Sequence, residues 1–227
     1  MTTKNTKFHV PNFNPLSNEA FKALKLDFKQ SQILFGSLLG DLRLQSQSGG
    51  KTYRIRAQQS FEKNGLYLLH LFDIFKPFCS SLPDKVERKT KLFETIDLRF
   101  QTRVHTEFAK FGKMFYDHKK KHLPSDKVVS RWLTPTAVAY WYMDDGGSEK
   151  SNPRACVFNT HSFTGDETEM LISILNQKYK LKAYSKLNKG KKVIPVPAEF
   201  CDRFNELFKP EMIESMYYKL PGHRKKE

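Results

Sequence analysis

The chain has 227 residues, of which 39% are hydrophobic and 13% aromatic, enough for one substantial domain or two smaller halves. Lys and Arg number 39 against 24 Asp and Glu, a formal net charge of +15 that indicates a polyanionic partner. Three separated cysteines without a C-x-x-C pair argue against a zinc site or disulfide framework, and no apolar run approaches the roughly 18 residues of a membrane span.

The first 30 residues are expected to form an N-terminal arm and lead-in. Residues 1–18 carry two lysines and no acid, but two prolines interrupt them and no amphipathic period is visible. No targeting peptide is therefore recognisable. We expect an irregular arm.

A first apolar helix is predicted within 31-SQILFGSLLGDLRLQ-45, ending at Gly40-Asp41. Gly36 and Gly40 are four residues apart and lie on one helix face, where they let another backbone come close. The pattern predicts a closely packed helix that carries an acid at its C-terminal end.

Two segments after this helix alternate as β-strands do. In 53-YRIRAQQ-59, apolar residues alternate with Arg54, Arg56 and Gln58, and in 94-ETIDLRFQT-102 Ile96, Leu98 and Phe100 oppose Thr95, Asp97, Arg99 and Gln101. A β-ribbon fits the major groove, where Arg pairs with guanine and Gln with adenine. These polar faces, together with Gln59, are predicted to bind DNA.

A second helix is predicted in 134-TPTAVAYWYMDDGGSEK-150. Thr134 is a good N-cap, Pro135 fits the first helical position, and Gly146 is expected to close the helix in the left-handed conformation. The helix dipole disfavours Asp144 and Asp145 at the C-terminal end. Such a site is suited to a cation.

The segments around the two helices repeat. Each helix leads into a strand that ends in Ser-Phe, then a helix, a second β region, a third helix and a lysine beside Leu-Pro. Asp41 and Asp145 are 104 residues apart, and Lys121 and Lys219 are 98 apart. We therefore predict an α+β protein of two pseudo-twofold-related αββαββα halves, residues 31–124 and 125–227, the second ending in a basic tail.

Duplication brings equivalent points together at a pseudo-twofold axis. If the two acid-ending helices pack side by side, Asp41 and Asp145 meet and repel unless a cation or proton lies between them. Orphan helix carbonyls add hard oxygen ligands, a donor set that suits Mg²⁺. Metal ions that clamp a phosphate can activate water, so the pattern points to phosphodiester hydrolysis.

The sequence resembles the monomeric, two-motif LAGLIDADG homing endonucleases encoded by organellar introns. The first motif reads 34-LFGSLLGDL-42 and the second 138-VAYWYMDDG-146, and the resemblance covers roughly residues 31–221. Leu39, Leu42 and Tyr140 depart from the family pattern, replacing its first acid, its final glycine and the glycine equivalent to Gly36. Tyr140 leaves the closeness of the helix packing open.

The resemblance implies a site-specific double-strand DNA endonuclease that leaves short 3′ overhangs, with each antiparallel sheet contributing to a DNA-binding saddle. It implies that Asp41 and Asp145 bind metal, helped by backbone oxygens of Gly40 and Asp144. It also implies a basic residue near each metal, matched by Lys121 (with Lys120 as an alternative) and Lys219. Two or more Mg²⁺ ions, replaceable by Mn²⁺ and by Ca²⁺ without efficient cleavage, a monomer and an organellar location follow from the same resemblance.

The second half offers a different DNA-facing set. Lys182, Tyr184 and Lys186 alternate with small or apolar residues, and the tip 187-LNKGKK-192 supplies Lys189, Lys191 and Lys192 for phosphates. The outward face of the 155–161 strand stays open, because Phe158 takes the place of Arg56. The halves differ, so we expect a long, asymmetric target.

Other interpretations fit less well. The stretch 50-GKT-52 lacks the first glycine of a P-loop, and in 83-PDKVERK-89 the acids are too close for a PD…ExK nuclease, so a turn is predicted there. The seven histidines form no His-Asn-His array. A non-cleaving DNA- or RNA-binding intron maturase of the same fold is the alternative function.

Overall fold

The computed structural model describes residues 13–89, 94–117, 120–149 and 151–223, so the first twelve residues of the arm and the basic end of the tail, 224–227, lie outside it. The predicted α+β class is confirmed. The helices are α1 (Asn18–Ala23), α2 (Phe28–Leu39), α3 (Phe61–Phe75), α4 (Ala109–Phe115), α5 (Asp126–Trp132), α6 (Pro135–Asp145), α7 (Gly165–Tyr179) and α8 (Cys201–Phe208). The strands are β1 (Arg43–Gln45), β2 (Arg54–Ser60), β3 (Asp84–Lys89), β4 (Glu94–Gln101), β5 (Tyr116–Asp117), β6 (Lys120–Lys121), β7 (Gly146–Ser148), β8 (Cys156–Phe158), β9 (Lys186–Asn188) and β10 (Lys191–Val196).

Two four-stranded antiparallel sheets have the same topology, β1-β2-β4-β3 and β7-β8-β10-β9. Each follows an acid-ending helix and has one helix, α3 or α7, between its second and third strands. The predicted order αββαββα therefore holds twice.

One predicted turn is wrong. Asp84–Lys89 is the edge strand β3 and pairs with β4 along its whole length, with Asp84 opposite Arg99. Its charged residues suit an edge strand, because charges there discourage pairing with another chain. Only the presence of β4 as a template makes this segment extended.

The lead-in contains more regular structure than predicted. Ser17 caps α1, and Asp27 forms a capping box with Gln30, so α2 begins at Phe28, ahead of the predicted Ser31. The Asp27 carboxylate accepts from the Gln30 amide at 2.6 Å. Local hydrogen bonding at the helix start sets these boundaries.

Helices α2 and α6 pack against each other at the centre of the molecule, nearly every residue of both being buried. A Cβ at Gly36 would lie 2.8 Å from the Cα of Ala137 and closer to its carbonyl oxygen. Only glycine permits this approach. Tyr140, at the equivalent place in α6, instead places its hydroxyl 2.6 Å from His70 Nε2 on α3.

Thr134 caps α6 as predicted, but the conformation expected at Gly146 is wrong. Gly146 has φ −91° and ψ 169°, extended rather than left-handed, because it starts β7 directly. A Cβ there would overlap the ring of Tyr142. Packing against that ring, not a positive φ, requires the glycine.

The predicted strand is interrupted before β9, although the side chains at 181–184 alternate as expected. Residues 181–185 are not in a strand, because Lys180 and Lys182 both have positive φ, 55° and 47°. Leu181 and Ala183 are nevertheless buried, while Lys182 and Tyr184 face outward. Lys189 and Gly190, also at positive φ, form the two-residue turn between β9 and β10.

The core extends through both halves. Phe108, Phe111 and Phe115 are fully buried, as are Phe204 and Phe208. On α3, Leu66 is 63% exposed, whereas Leu68 is fully buried.

The helix α5 joins the halves. Its Trp132 stacks on Phe35 of α2 with ring centroids 5.9 Å apart. Ser130 accepts a hydrogen bond from Lys178 of α7 at 2.6 Å. The connection is therefore packed on both sides.

In the part of the chain that the structure describes, no helix has the length and apolar character needed to cross a membrane.

Candidate active site

The C-terminal ends of α2 and α6 bring the predicted acids together. Asp41 and Asp145 line one cavity of about 410 Å³ with Lys121 and the backbone of Gly40. The close helix packing at Gly36 brings the two C-terminal ends together: Asp41 lies two residues beyond the end of α2, and Asp145 is the last residue of α6. Arg43, Asn159 and Ser162 also line the cavity.

Each predicted lysine bonds the carbonyl that precedes an acid. Lys121 donates to Gly40 O at 3.1 Å, and Lys219 donates to Asp144 O at 2.8 Å and also to Met143 O. The two halves thus repeat one geometry. Lys120 is exposed on β6 and makes no such contact among the described residues, so Lys121 is the better candidate of the two.

Burial and mutual repulsion disfavour the negative charges of the acids in this cavity. Burial and then the charge of Asp41 raise the pKa of Asp145 to about 7. Burial lowers the pKa of Lys121 and Lys219, although neighbouring acids oppose that shift. The acids are therefore undercompensated by the two lysines.

Asp144 points away from the cavity into the interface between α2 and α6. Its carboxylate would contact a Cβ at Gly40, and its buried Oδ2 has no hydrogen-bond partner among the described residues. Burial, followed by the charges of Asp41 and Asp145, raises its pKa well above the usual range. The hydroxyls of Ser37 and Tyr67 lie nearby, buried and without hydrogen-bond geometry to it.

Gln59, predicted to face DNA, donates from Nε2 to Asp41 Oδ2 at 2.9 Å. Its own Oε1 accepts from Asn64 at 3.0 Å. In the second half Asn159 contacts the acid differently, with its backbone N and Nδ2 both 2.9 Å from Asp145 O. Sequence reasoning missed Asn159, although it lies within the predicted 155–161 strand and directly follows β8 in the structure.

The metal-binding donor set consists of hard oxygens. Within the described ranges, no group of three or more His, Cys, Asp or Glu side chains assembles around a common point. Two carboxylates remain, with main-chain carbonyls, for a divalent cation that keeps water and takes phosphate oxygens as further ligands. The undercompensated pair fits such an ion.

The first sheet carries the predicted polar face. Arg56 lies opposite Gln101, and Gln58 opposite Arg99, on the two central strands. They line a second cavity of about 760 Å³ that reaches Asp41. Arg54 lies at the end of β2 beside Gln45.

The predicted alternation fails at the start of β4. Ile96 is 43% exposed and Asp97 is buried. Gln58 donates to Asp97 at 2.8 Å, so a polar partner on β2 accounts for the buried acid. The predicted assignment of residues 96 and 97 to the buried and outward faces is therefore wrong, although Leu98 and Phe100 are buried as predicted.

Sequence reasoning missed four residues on this surface. Arg43 and Tyr116 line the cavity that holds the acids, and Gln45 and Asp84 lie on the edge strands of the sheet. Of the four, Arg43 could have been proposed from the sequence, because it lies two residues after Asp41. The others needed the strand pairing.

The second sheet presents lysines. Lys186 pairs with Glu149 at 3.2 Å and Lys192 with Glu169 at 2.6 Å, while Lys191 donates to His161 O at 2.6 Å. Lys189 is exposed at the hairpin tip, and Lys182 and Tyr184 are exposed before β9.

Strand β8 settles the face that the sequence left open. Phe158 is fully buried against Trp141, with ring centroids 4.4 Å apart. Gly147 and Arg43, each two residues after an acid, pair with Val157 and Arg56 respectively. Val157 is therefore the counterpart of Arg56, and the comparison of Phe158 with Arg56 is wrong by one residue.

Two acid-ending helices that meet beneath a pair of basic antiparallel sheets define a duplicated nucleic-acid enzyme. The LAGLIDADG DNA endonuclease family model matches residues 31–204, and the chain belongs to that family.

The chain is 34% identical over 196 residues to probable intron-encoded endonuclease 1 of Wickerhamomyces canadensis, covering 84% of this chain and 83% of that protein. It is 32% identical over 222 residues to DNA endonuclease I-ChuI of Chlamydomonas applanata, covering 89% and 99%. A solved structure of the homing endonuclease I-WcaI bound to its DNA recognition sequence superposes with a TM-score of 0.83 at 32% identity, covering 91% of this chain and 94% of that one.

A relative with another named role is the cytochrome b mRNA maturase bI2 of Debaryomyces hansenii, 31% identical over 163 residues and covering 70% of this chain and 60% of that protein.

Proposed function

We propose that the protein is a site-specific homing endonuclease that hydrolyses one phosphodiester bond in each strand of a long, asymmetric DNA target, leaving short 3′ overhangs. One observation carries the proposal: Asp41 and Asp145, one from each half, share a cavity with Lys121, and Lys219 lies against the backbone beside it. Double-strand cleavage needs one hydrolytic centre for each strand, and the duplicated geometry supplies two.

Asp41 and Asp145 are the proposed ligands of two or more divalent cations, with Mg²⁺ as the natural ion, Mn²⁺ as a substitute and Ca²⁺ supporting binding without efficient cleavage. When bound, the metal supplies a Lewis acid and an activated water for phosphate hydrolysis. The carbonyls of Gly40 and Asp144 are auxiliary ligands in this proposal. Each already accepts a bond from a lysine and keeps a second lone pair.

Lys121 and Lys219 act on the phosphates. Each amine is held by carbonyls at a helix end, a position that keeps a positive charge beside the site where phosphate charge develops. Gln59 orients the Asp41 carboxylate through its hydrogen bond. Because one lysine comes from each half, each is expected to serve one strand.

The sheets are the proposed DNA-binding surface. Arginine and glutamine side chains of the first sheet suit base edges, and lysines of the second suit phosphates. The base readers are Arg54, Arg56, Gln58, Arg99 and Gln101, and the second half contributes Lys182, Tyr184, Lys186, Lys189, Lys191 and Lys192. We further propose that the protein acts as a monomer in an organelle, its two sheets replacing the halves of a dimer.

The test is incubation with a randomised duplex library in Mg²⁺ and then in EDTA. Enrichment of cleaved molecules around one long sequence in Mg²⁺, lost in EDTA, is the expected result. Selective binding without cleavage under any divalent cation would favour the maturase alternative. That alternative is supported by the maturase relative. The retained acids and their shared cavity favour the nuclease, since binding RNA requires neither acid.

A further inference from the structure

Two arginines on the first sheet are held in place by residues on its edge strands. Arg99 on β4 lies opposite Asp84 on β3, and Arg54 on β2 lies opposite Gln45 on β1. Directly opposite residues of an antiparallel pair project from the same face, with Cβ atoms close enough to interact. Central strands thus supply arginines, and edge strands supply acceptors.

The two contacts have the same chemistry. Arg99 places Nε 2.9 Å and Nη2 2.8 Å from a single oxygen, Asp84 Oδ2. Arg54 places Nε 2.9 Å and Nη2 2.7 Å from a single oxygen, Gln45 Oε1. In each contact, a single acceptor atom therefore lies within hydrogen-bonding distance of both Nε and Nη2 of the guanidinium.

This arrangement leaves the Nη1 side of each guanidinium available for another hydrogen-bond partner. Two of the five arginine N–H groups are used, and both hydrogens on Nη1 and one on Nη2 stay unbonded by the acceptor. A fork of this shape matches guanine O6 and N7 in the major groove. The Arg99 and Asp84 side chains are 45% and 55% exposed, so DNA can reach the fork.

Two other arginines on the sheet lack such support. Arg43 and Arg56 lie opposite each other on β1 and β2, and within the described ranges neither has an acceptor side chain. Like charges directly opposite each other repel and call for an anion between or above them. Unlike Arg54 and Arg99, these two arginines are therefore not held in one conformation by an acceptor side chain on the neighbouring strand.

The second sheet does not repeat the device. Glu149 corresponds to Gln45, since both follow an acid by four residues, but its neighbour across the hairpin is Ala155. Glu149 instead pairs with Lys186, whose ammonium is a point charge rather than a fork. Among the described strand residues of the second sheet, no arginine is supported in this way.

We propose that Asp84 and Gln45 are specificity-positioning residues: they hold Arg99 and Arg54 in the conformation that reads guanine at two separate base pairs of the half-site bound by the first sheet. The proposal rests on the proposed function, because it assigns roles within the same DNA interface. It makes Asp84 a determinant of specificity that touches no base itself.

The test begins by selecting a preferred duplex for the parent protein from a randomised pool. The dissociation constant is then measured for every single-base-pair variant of that duplex, with the parent, D84A, R99K, Q45A and R54K. Asp202, in an exposed ion pair with Arg154 away from the sheet strands, provides the matched control D202A.

We expect R99K and D84A to lose preference at the same guanine-bearing pair, by about 5- to 150-fold each. R54K and Q45A should lose it at a second, different pair, and D202A should leave the profile unchanged. A loss of folding in D84A would lower affinity at all positions equally. D84N, which keeps an oxygen acceptor, is measured beside it and should retain part of the preference.

Two results would overturn the proposal. Loss of preference in D84A at a pair unaffected by R99K would make Asp84 itself a base reader. An unchanged profile in D84A, or uniformly tighter binding, would mean that the ion pair only neutralises charge. If the parent protein selects no preferred duplex, the failure belongs to the proposed function and not to this assignment.

Discussion

The amine of Lys219 lies 2.8 Å from the carbonyl oxygen of Asp144, the residue before Asp145. Lys121 makes the matching bond to Gly40, the residue before Asp41. A lysine in each half therefore marks the end of the acid-bearing helix of that half. The proposed active site consists of two copies of one local geometry that meet between α2 and α6.

Replacing either acid should separate binding from catalysis. In D41N or D145N we expect loss of detectable double-strand cleavage in Mg²⁺, while DNA binding is largely retained, because the lost charge serves metal rather than bases. Cleavage assays and fluorescence anisotropy on the same duplex measure both. Burial and the charge of Asp41 disfavour the ionised form of Asp145. In EDTA, the melting temperature of D145N should therefore be no lower than that of the parent protein. Full cleavage by either variant would refute the shared site.

Removing a lysine should slow one strand more than the other. K121A and K219A are each expected to reduce the cleavage rate about tenfold to a thousandfold, as loss of one electrostatic or proton-transfer partner does. Because each amine lies in a different half, nicked intermediates should accumulate with opposite strand bias. Strand-specific end labels resolve the two nicks, and K120A is the control. Equal rates for both strands in both variants would contradict the assignment.

Tyr142 should act on catalysis through Lys219. Its hydroxyl donates to Lys219 O at 2.6 Å, so Y142F leaves a carbonyl unsatisfied without removing the ring. We expect about 1 kcal/mol lower stability to unfolding by urea. The strand that K219A slows should also be slowed in Y142F. A rate loss shared evenly by both strands would instead indicate a general effect on folding.

Salt dependence should distinguish the lysine surface from the arginine surface. If about ten phosphates are neutralised, log affinity should fall with log salt at a slope near −9. K189A at the exposed hairpin tip should weaken binding to all sequences alike and flatten the slope by about one unit. R54A and R99A should each cost about 1–3 kcal/mol, concentrated at one or two base pairs. If R54A and R99A instead lose affinity equally for all sequences, the sheet contributes positive charge rather than base recognition.

Gly36 should be required for the close contact between α2 and α6. In G36A the new methyl would overlap the backbone of Ala137, and we expect about 1–3 kcal/mol lower stability despite the higher helix propensity of alanine. G147A is the matched control, because a Cβ there meets nothing within 4 Å. Chemical denaturation of both variants measures the difference. Equal stability of G36A and the parent would show that the helices can separate without cost.

Much of the architecture was predictable from residue patterns. The two acid-ending helices, the alternation in β2 and the phenylalanine-rich closing helices are local signals, and they repeat along the chain at domain spacing. Duplication of a local pattern is visible without coordinates. It also led directly to the pairing of Asp41 with Asp145, since equivalent points of two copies meet at their common axis.

The errors arose where pairing or packing outweighs local preference. Asp84–Lys89 resembles a turn until β4 supplies its partner, and Gly146 resembles a helix cap until β7 begins there. Lys180 and Lys182, whose backbones are left-handed, end the expected strand at 181–185.

By itself, the sequence determined the class of fold and the duplication, because these depend on period and spacing. It also proposed the acids of the candidate site from the same pattern, and the lysines from the family resemblance. Only the tertiary structure decided which side chains meet. The bond from Gln59 to Asp41, the burial of Asp144 against Gly40 and the support of Arg99 by Asp84 each join segments distant in sequence. Hydrogen bonds act over about 3 Å, so their partners follow from strand register and helix packing rather than from any local pattern.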